Sequence, residues 1–113
     1  LPEIVVIASL QAKPGLGTEL LALLSELIPR VLSSEPGLQR YAVYVEPDSD
    51  PLRLTVIEKY AAETDLAAHN GGVLTDYLPR LLDLVDPAPH TVELRPAPLT
   101  LSVSETDAAR LTI

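Results

Sequence analysis

Apolar positions alternate along some stretches of this chain and recur at helical spacing along others, and the switches between the two periods mark out its elements. Ile4 to Ala12 is rich in β-branched residues and closes on Lys13-Pro14-Gly15, which predicts a buried strand and a turn. Leu20, Leu24, Leu27, Ile28 and Val31 then form one helical stripe, predicting an amphipathic helix from about Thr18 to Leu32. Gly17-Thr18 offers an N-cap, Glu19 suits the first turn, and Pro29 is expected to kink or weaken the last turns. After a turn at Ser33–Gly37, Gln39 to Val45 reads as a second strand with Tyr41 and Tyr44 on opposite faces, so at most one of them can face a pocket. Glu46 to Pro51 is a polar hairpin loop. Arg53 to Tyr60 is a third strand, with Leu54, Val56, Glu58 and Tyr60 on one face and Thr55, Ile57 and Lys59 on the other. Glu63 to His69 is a short helix interrupted by Asn70-Gly71-Gly72. Val73, Leu74, Tyr77, Leu78, Leu81 and Leu82 resume a helical stripe around Pro79. Asp86-Pro87-Ala88-Pro89 ends it, and His90 to Arg95 is a fourth strand.

The order β-α-β-β-α-β predicts an α+β, ferredoxin-like domain over residues 1–96, an antiparallel sheet with two helices on one face. Strands this apolar want cover on the other face as well, which a second copy would supply sheet against sheet; the expectation is a two-fold homodimer. Residues 97–113 form a C-terminal extension. Leu99 to Ser104 alternates strictly, predicting a fifth strand that could cap an edge of either subunit, and Thr106 to Ile113 reads as a loose end.

At 113 residues and 47% apolar the chain is long enough for a true core, and that core must be aliphatic because Phe, Trp and Met are absent and four tyrosines are the only aromatics. No cysteine is present, which excludes disulfides, thiolate nucleophiles and zinc–thiolate sites and fits a cytoplasmic setting. A net charge of −8 without any basic cluster argues against nucleic acid and against an anionic membrane surface. No apolar run reaches the length of a membrane-spanning helix, and Leu1 to Leu10 has no basic leader, so it reads as a strand rather than a signal peptide.

Four segments carry a resemblance: IVVIASLQAKPG, SSEPGLQRYAVY, LTVIEKYAAETDLAAH and the leucine-rich helix after the first. Its most specific parts are Glu-Pro-Gly-x-x-x-Tyr at 35–41 and Glu58, Tyr60, Ala68 and His69. From Ile4 to Arg95 the chain resembles the antibiotic-biosynthesis-monooxygenase (quinol-monooxygenase-like) family. The resemblance implies a dimeric α+β barrel with a cleft between sheet and helices. It also implies oxidation of quinols, anthrones or similar polycyclic phenols by O2 without flavin, haem or metal; other relatives isomerise a small phosphorylated molecule or degrade haem. The chain departs from the pattern at Tyr60, where the family commonly has Trp, and at Asn70–Leu74, which replaces a second His and an aromatic. Haem degradation is disfavoured, because Ile7 and Tyr60 stand where those relatives use Asn and Trp.

Cofactor-free oxygenation asks the protein for a base, one or two hydrogen-bonding groups and an apolar pocket, since the substrate supplies the electrons. His69 is the candidate catalytic base, as imidazole exchanges protons near neutrality; the plainer reading is an exposed histidine at a helix end, removable without disturbing the fold. Tyr60 is the second catalytic candidate, as a donor or as cleft wall. Glu58, Tyr77 and Tyr44 are candidate substrate contacts. Against them stand pairing of Glu58 with Arg40 or Arg53 across the sheet and a core position for Tyr77. His90 reads as a surface residue, and Gly15-Leu16-Gly17 as a plain turn. The spacing of the histidines and acids suits no metal, and no cofactor motif is present. The leading expectation is a cofactor-independent monooxygenase acting on a small quinol-like or polycyclic phenolic substrate. The alternatives are an isomerase of a small polar or phosphorylated metabolite, helped by Arg40, Arg53 or Arg95, and a non-catalytic small-molecule-binding dimer.

Overall fold

The computed structural model describes residues 3–113; Leu1 and Pro2, the start of the apolar N-terminal run, lie outside the described residues. Strand β1 (Ile4–Gln11) alternates between buried and more exposed positions and is followed by a turn in which Gly15 takes a positive φ of 79°. Helix α1 (Gly17–Ser34) buries Leu20, Leu23, Leu24, Leu27 and Val31 along one stripe. It starts one residue earlier than expected, without a side-chain cap, so Thr18 lies inside the first turn. It also continues past Pro29. The carbonyl that Pro29 cannot bond is that of Ser25, and both residues are exposed, so water can take the place of the missing donor.

Strands β2 (Leu38–Val45) and β3 (Arg53–Tyr60) form the central hairpin. As the interruption at Asn70-Gly71-Gly72 predicts, the second helical stretch divides into α2 (Glu63–Asn70) and α3 (Leu74–Leu84), and α3 passes through Pro79 on its exposed side. Strand β4 (His90–Leu94) completes the layer. The sheet order is β2-β3-β1-β4, all antiparallel, with the two central strands adjacent and their register running from Ile4 opposite Tyr60 to Gln11 opposite Arg53. This is the ferredoxin-like order. The core lies between the helices and the inner face formed by Ile4, Val6, Ala8, Leu10, Leu54, Val56 and Tyr60. No helix among the described residues is long and apolar enough to cross a membrane.

One irregularity decides which β2 side chains reach the core. Between Leu38 and Arg40 the β2–β3 register shifts, so Leu38 opposes Tyr60 while Tyr41, not Arg40, opposes Glu58. The extra residue of this bulge reverses the alternation of everything that follows. Tyr41 and Val43 turn inward, and Tyr44, opposite Thr55, turns to the outer face, where it is 64% exposed.

The extension is not a strand. Residues 97–104 make no ladder, and only a single helical turn, α4 (Glu105–Ala108), follows, capped where Asp107 N–H donates to Ser104 Oγ at 3.1 Å. Alternation alone cannot form a strand without an edge to pair with. The tip then returns to the outer face of the sheet: Thr112 donates to Glu3 at 2.8 Å and Lys59 donates to the Ile113 carbonyl at 2.6 Å, beside Val5 and Leu94.

Candidate active site

A cavity of about 340 Å³ opens between the inner face of the sheet and the three helices. Its walls are mostly aliphatic: Val6, Ala8 and Leu10 of β1, Leu24 and Leu27 of α1, and Leu74, Leu78 and Leu81 of α3. Its polar groups are few. Tyr41, Glu58 and His69 gather in one part of the lining, while Asn70, Thr91 and Glu93 line it from α2 and β4. No Lys or Arg is among the lining residues. The β1 residues facing the cavity are Val6, Ala8 and Leu10, whereas Ile7 points to the outer face opposite Ile57; no side chain of β1 offers the cavity a polar group.

His69 is not an exposed helix end. It is 2% exposed, held between the end of α1 and β3. Its Nδ1 lies 2.7 Å from Glu35 Oε1, and its Nε2 lies 3.7 Å from Glu58 Oε1, beyond hydrogen-bonding range. The ring of Tyr41 meets the imidazole edge to face at 5.4 Å, and that of Tyr60 is tilted against it at 5.7 Å. Tyr60 is completely buried and donates its hydroxyl to Glu58 Oε1 at 2.5 Å. A line of four buried groups therefore runs Tyr60–Glu58–His69–Glu35.

The environment biases protonation in one direction at Glu58, Tyr41 and Tyr60. Burial pushes the Glu58 carboxyl above the usual carboxylate range, with the Tyr60 hydroxyl bond and His69 pulling it back and the Glu35 charge adding to the rise. Burial, then the charges of Glu58 and Glu35, raises the Tyr41 phenol well above its ordinary value. Burial, the Glu58 hydrogen bond and the nearby carboxylates do the same to Tyr60. Both phenols stay protonated at any working pH and can serve as donors but not as bases.

Of the residues singled out in the sequence, His69, Glu58 and Tyr60 come together. Tyr60 does not line the cavity; it acts on Glu58 from below. Glu58 does not pair with Arg40 or Arg53, because the bulge carries Arg40 past it and Arg53 bonds Glu46. Tyr44 cannot reach the cavity from the outer face, and Tyr41 takes the inward position instead. Tyr77 is a clamp between α1 and α3: its hydroxyl accepts from Arg30 at 2.8 Å, and the guanidinium groups of Arg30 and Arg80 lie over its ring at 5.3 and 5.5 Å. His90 is exposed at the start of β4. Arg95 is engaged with Glu63 and Glu93, so none of the three arginines named for a phosphorylated ligand faces the cavity.

Glu35 was not among the sequence candidates. A carboxylate in a Ser-Ser-Glu-Pro-Gly turn reads as solvated, and only the later histidine that it meets explains its burial. Its backbone N–H closes α1 on the Val31 carbonyl at 3.0 Å, which points the side chain back under α2. Its Oε2 is buried without a hydrogen-bond partner and lies against Gly72, where an added Cβ would come within 3.3 Å of Oε2 and 2.7 Å of the Ala68 carbonyl. Among the described residues no group of three or more His, Cys, Asp or Glu is placed to hold a metal ion.

Comparison with known proteins follows this geometry closely. The family model described as antibiotic biosynthesis monooxygenase matches residues 3–73. A conserved protein from Methanosarcina mazei Go1 is 30% identical, with 82% of this chain and 91% of that chain covered and a TM-score of 0.75. A protein from Shewanella oneidensis is 29% identical, with 82% and 89% covered and a TM-score of 0.73. A structure described as an antibiotic biosynthesis monooxygenase shares the fold at 24% identity, with 84% and 99% covered and a TM-score of 0.75. Among curated proteins no match is found.

Proposed function

The chain belongs to the antibiotic biosynthesis monooxygenase family, and on that premise we propose that it is a cofactor-independent monooxygenase of a small, electron-rich phenol such as a quinol. The observation that carries this reading is the pairing of an aliphatic cavity with one buried imidazole whose Nε2 makes no hydrogen bond among the described residues. At about 340 Å³ the cavity sits at the low end of the roughly 300–1,000 Å³ usual for small-molecule sites, which suits a compact aromatic. A phosphorylated ligand would find no cation in the lining and two carboxylates, Glu58 and Glu93, which weighs against the isomerase.

The chemistry balances with substrate and O2 alone. His69 Nε2 removes a phenolic proton, leaving the electron pair on oxygen, and the electron-rich phenolate reduces O2. One oxygen atom enters the ring and the other leaves as water. A quinol thus gives a hydroxyquinone plus water, the substrate supplying all four electrons. Tyr41 and the aliphatic walls exclude bulk water and pack against the ring. The test is oxygen uptake by the purified, metal-free protein across a panel of reduced quinols and anthrones. Uptake above the uncatalysed rate, with one O2 consumed per substrate and no accumulating peroxide, is the expected result. Uptake at the uncatalysed rate throughout, with quinols still bound, would leave a binding protein.

We also propose that the working unit is a cytoplasmic homodimer joined through the outer sheet face. That face carries Ile7, Ile57, Tyr44, Val92 and Leu94, with the tip of the C-terminal extension laid beside Val5 and Leu94, and Tyr44, Val92 and Leu94 are exposed. Light scattering at micromolar concentration is expected to give the dimer mass; a monomer would remove this assembly.

A further inference from the structure

We propose that Glu35 is a positioning residue that fixes His69 as the tautomer protonated on Nδ1, and so determines that Nε2 is the atom that takes the substrate's proton. A carboxylate accepts hydrogen bonds, so an Nδ1 placed 2.7 Å from Glu35 Oε1 is positioned to carry the hydrogen and donate it. Neutral imidazole then has its lone pair on Nε2. That atom makes no hydrogen bond among the described residues, for Glu58 Oε1 stands 3.7 Å away and already accepts from Tyr60. A substrate hydroxyl can approach both Nε2 and Glu58 Oε1 from the cavity, which both residues line.

The local fold is arranged around this contact. The end of α1 delivers the carboxylate and the end of α2 delivers the ring, and the Asn70-Gly71-Gly72 turn lets the two meet, because Gly72 has no side chain to displace Glu35 Oε2. In the proton transfer the substrate O–H bond breaks, an N–H bond forms at Nε2, and the electron pair stays on the substrate oxygen. Glu35 keeps its charge and faces the resulting imidazolium without taking its proton. The other groups facing the ring are Glu58 and Tyr60 from β3 and Tyr41 from β2, and none of them contacts Nδ1 by a hydrogen bond.

The tautomer can be read without any substrate, so this assignment stands or falls separately from the monooxygenase reading on which its kinetic consequence rests. The chain has two histidines, and His90→Gln leaves one ring to observe. In long-range proton–nitrogen spectra of 15N-labelled protein above neutral pH, His69 is expected to show hydrogen on Nδ1 and a bare Nε2. In Glu35→Ala no acceptor faces Nδ1, and the hydrogen is expected to distribute between Nδ1 and Nε2. With an active substrate, the same variant should lose on the order of 10²–10⁴-fold in kcat with KM little changed. A wild-type ring with hydrogen on Nε2, or a tautomer unchanged in Glu35→Ala, overturns the proposal. Should the variant fail to fold, the wild-type spectrum alone decides it.

Discussion

His69→Ala is expected to lose both catalysis and about 1–3 kcal/mol of stability, because it leaves the buried Glu35 carboxyl without its hydrogen-bond partner. Glu35 Oε1 would lose the Nδ1 donor at 2.7 Å and join Oε2, which is already buried without a partner. Against the roughly 5–15 kcal/mol that holds a domain of this size together, that is a large share. The histidine that the sequence presents as removable is therefore part of what holds α2 to the end of α1. His69→Gln separates the two roles. Its amide can still donate toward Glu35, so most of the stability should return, while the loss of the base should keep turnover down by about 10²–10⁴-fold. Urea denaturation of the three proteins reads the first effect and turnover the second. An alanine variant as stable as the wild type would mean that Glu35 and His69 are not paired.

Glu58→Gln is expected to stabilise the protein at neutral pH and to flatten its response to acid. Burial raises the Glu58 carboxyl above the usual range, so the folded chain holds that proton more tightly than the unfolded chain does. The stabilisation this provides is complete below the ordinary carboxylate range and is lost as pH rises through the raised value. Above it the ionised, desolvated carboxylate weakens the fold by ~1.4 kcal/mol for each unit of the rise. Glutamine keeps an acceptor for the Tyr60 hydroxyl and carries no charge. Thermal melts of the variant and the wild type should thus diverge as pH climbs from the ordinary carboxylate range through the raised Glu58 value and run parallel beyond it. Parallel curves over the whole range would mean that Glu58 ionises as it does in the unfolded chain.

The elements were legible because their periods are clean. The stripe from Leu20 to Val31, the alternation from Leu54 to Tyr60 and the proline-rich breaks at 13–15 and 86–89 leave little choice of order. Three features were not legible, each for a physical reason. Counting by twos from Leu38 places Arg40 against Glu58 and turns Tyr44 inward; a bulge moves every later side chain to the other face, and no residue in Leu38-Gln39-Arg40 announces it. The alternation of Leu99 to Ser104 is real, but an edge to receive it is a property of the fold, not of the segment. Glu35 sits in a turn that composition marks as polar, and its burial depends on a histidine 34 positions away. Glu58 and Tyr60 along one strand and His69 on α2 were visible; Glu35 after α1 and the inward Tyr41 of β2 were not.

The scarcity of aromatic residues has an optical consequence. With no tryptophan and four tyrosines, all of the near-ultraviolet signal of the protein comes from phenol rings, and two of the four, Tyr41 and Tyr60, rest against His69. A quinol entering the cavity would lie beside Tyr41 and close to the hydroxyl that Tyr60 gives to Glu58. Tyrosine emission and near-ultraviolet dichroism thus act as a built-in reporter of the site, with no label needed, and Tyr44→Phe and Tyr77→Phe would remove most of the background.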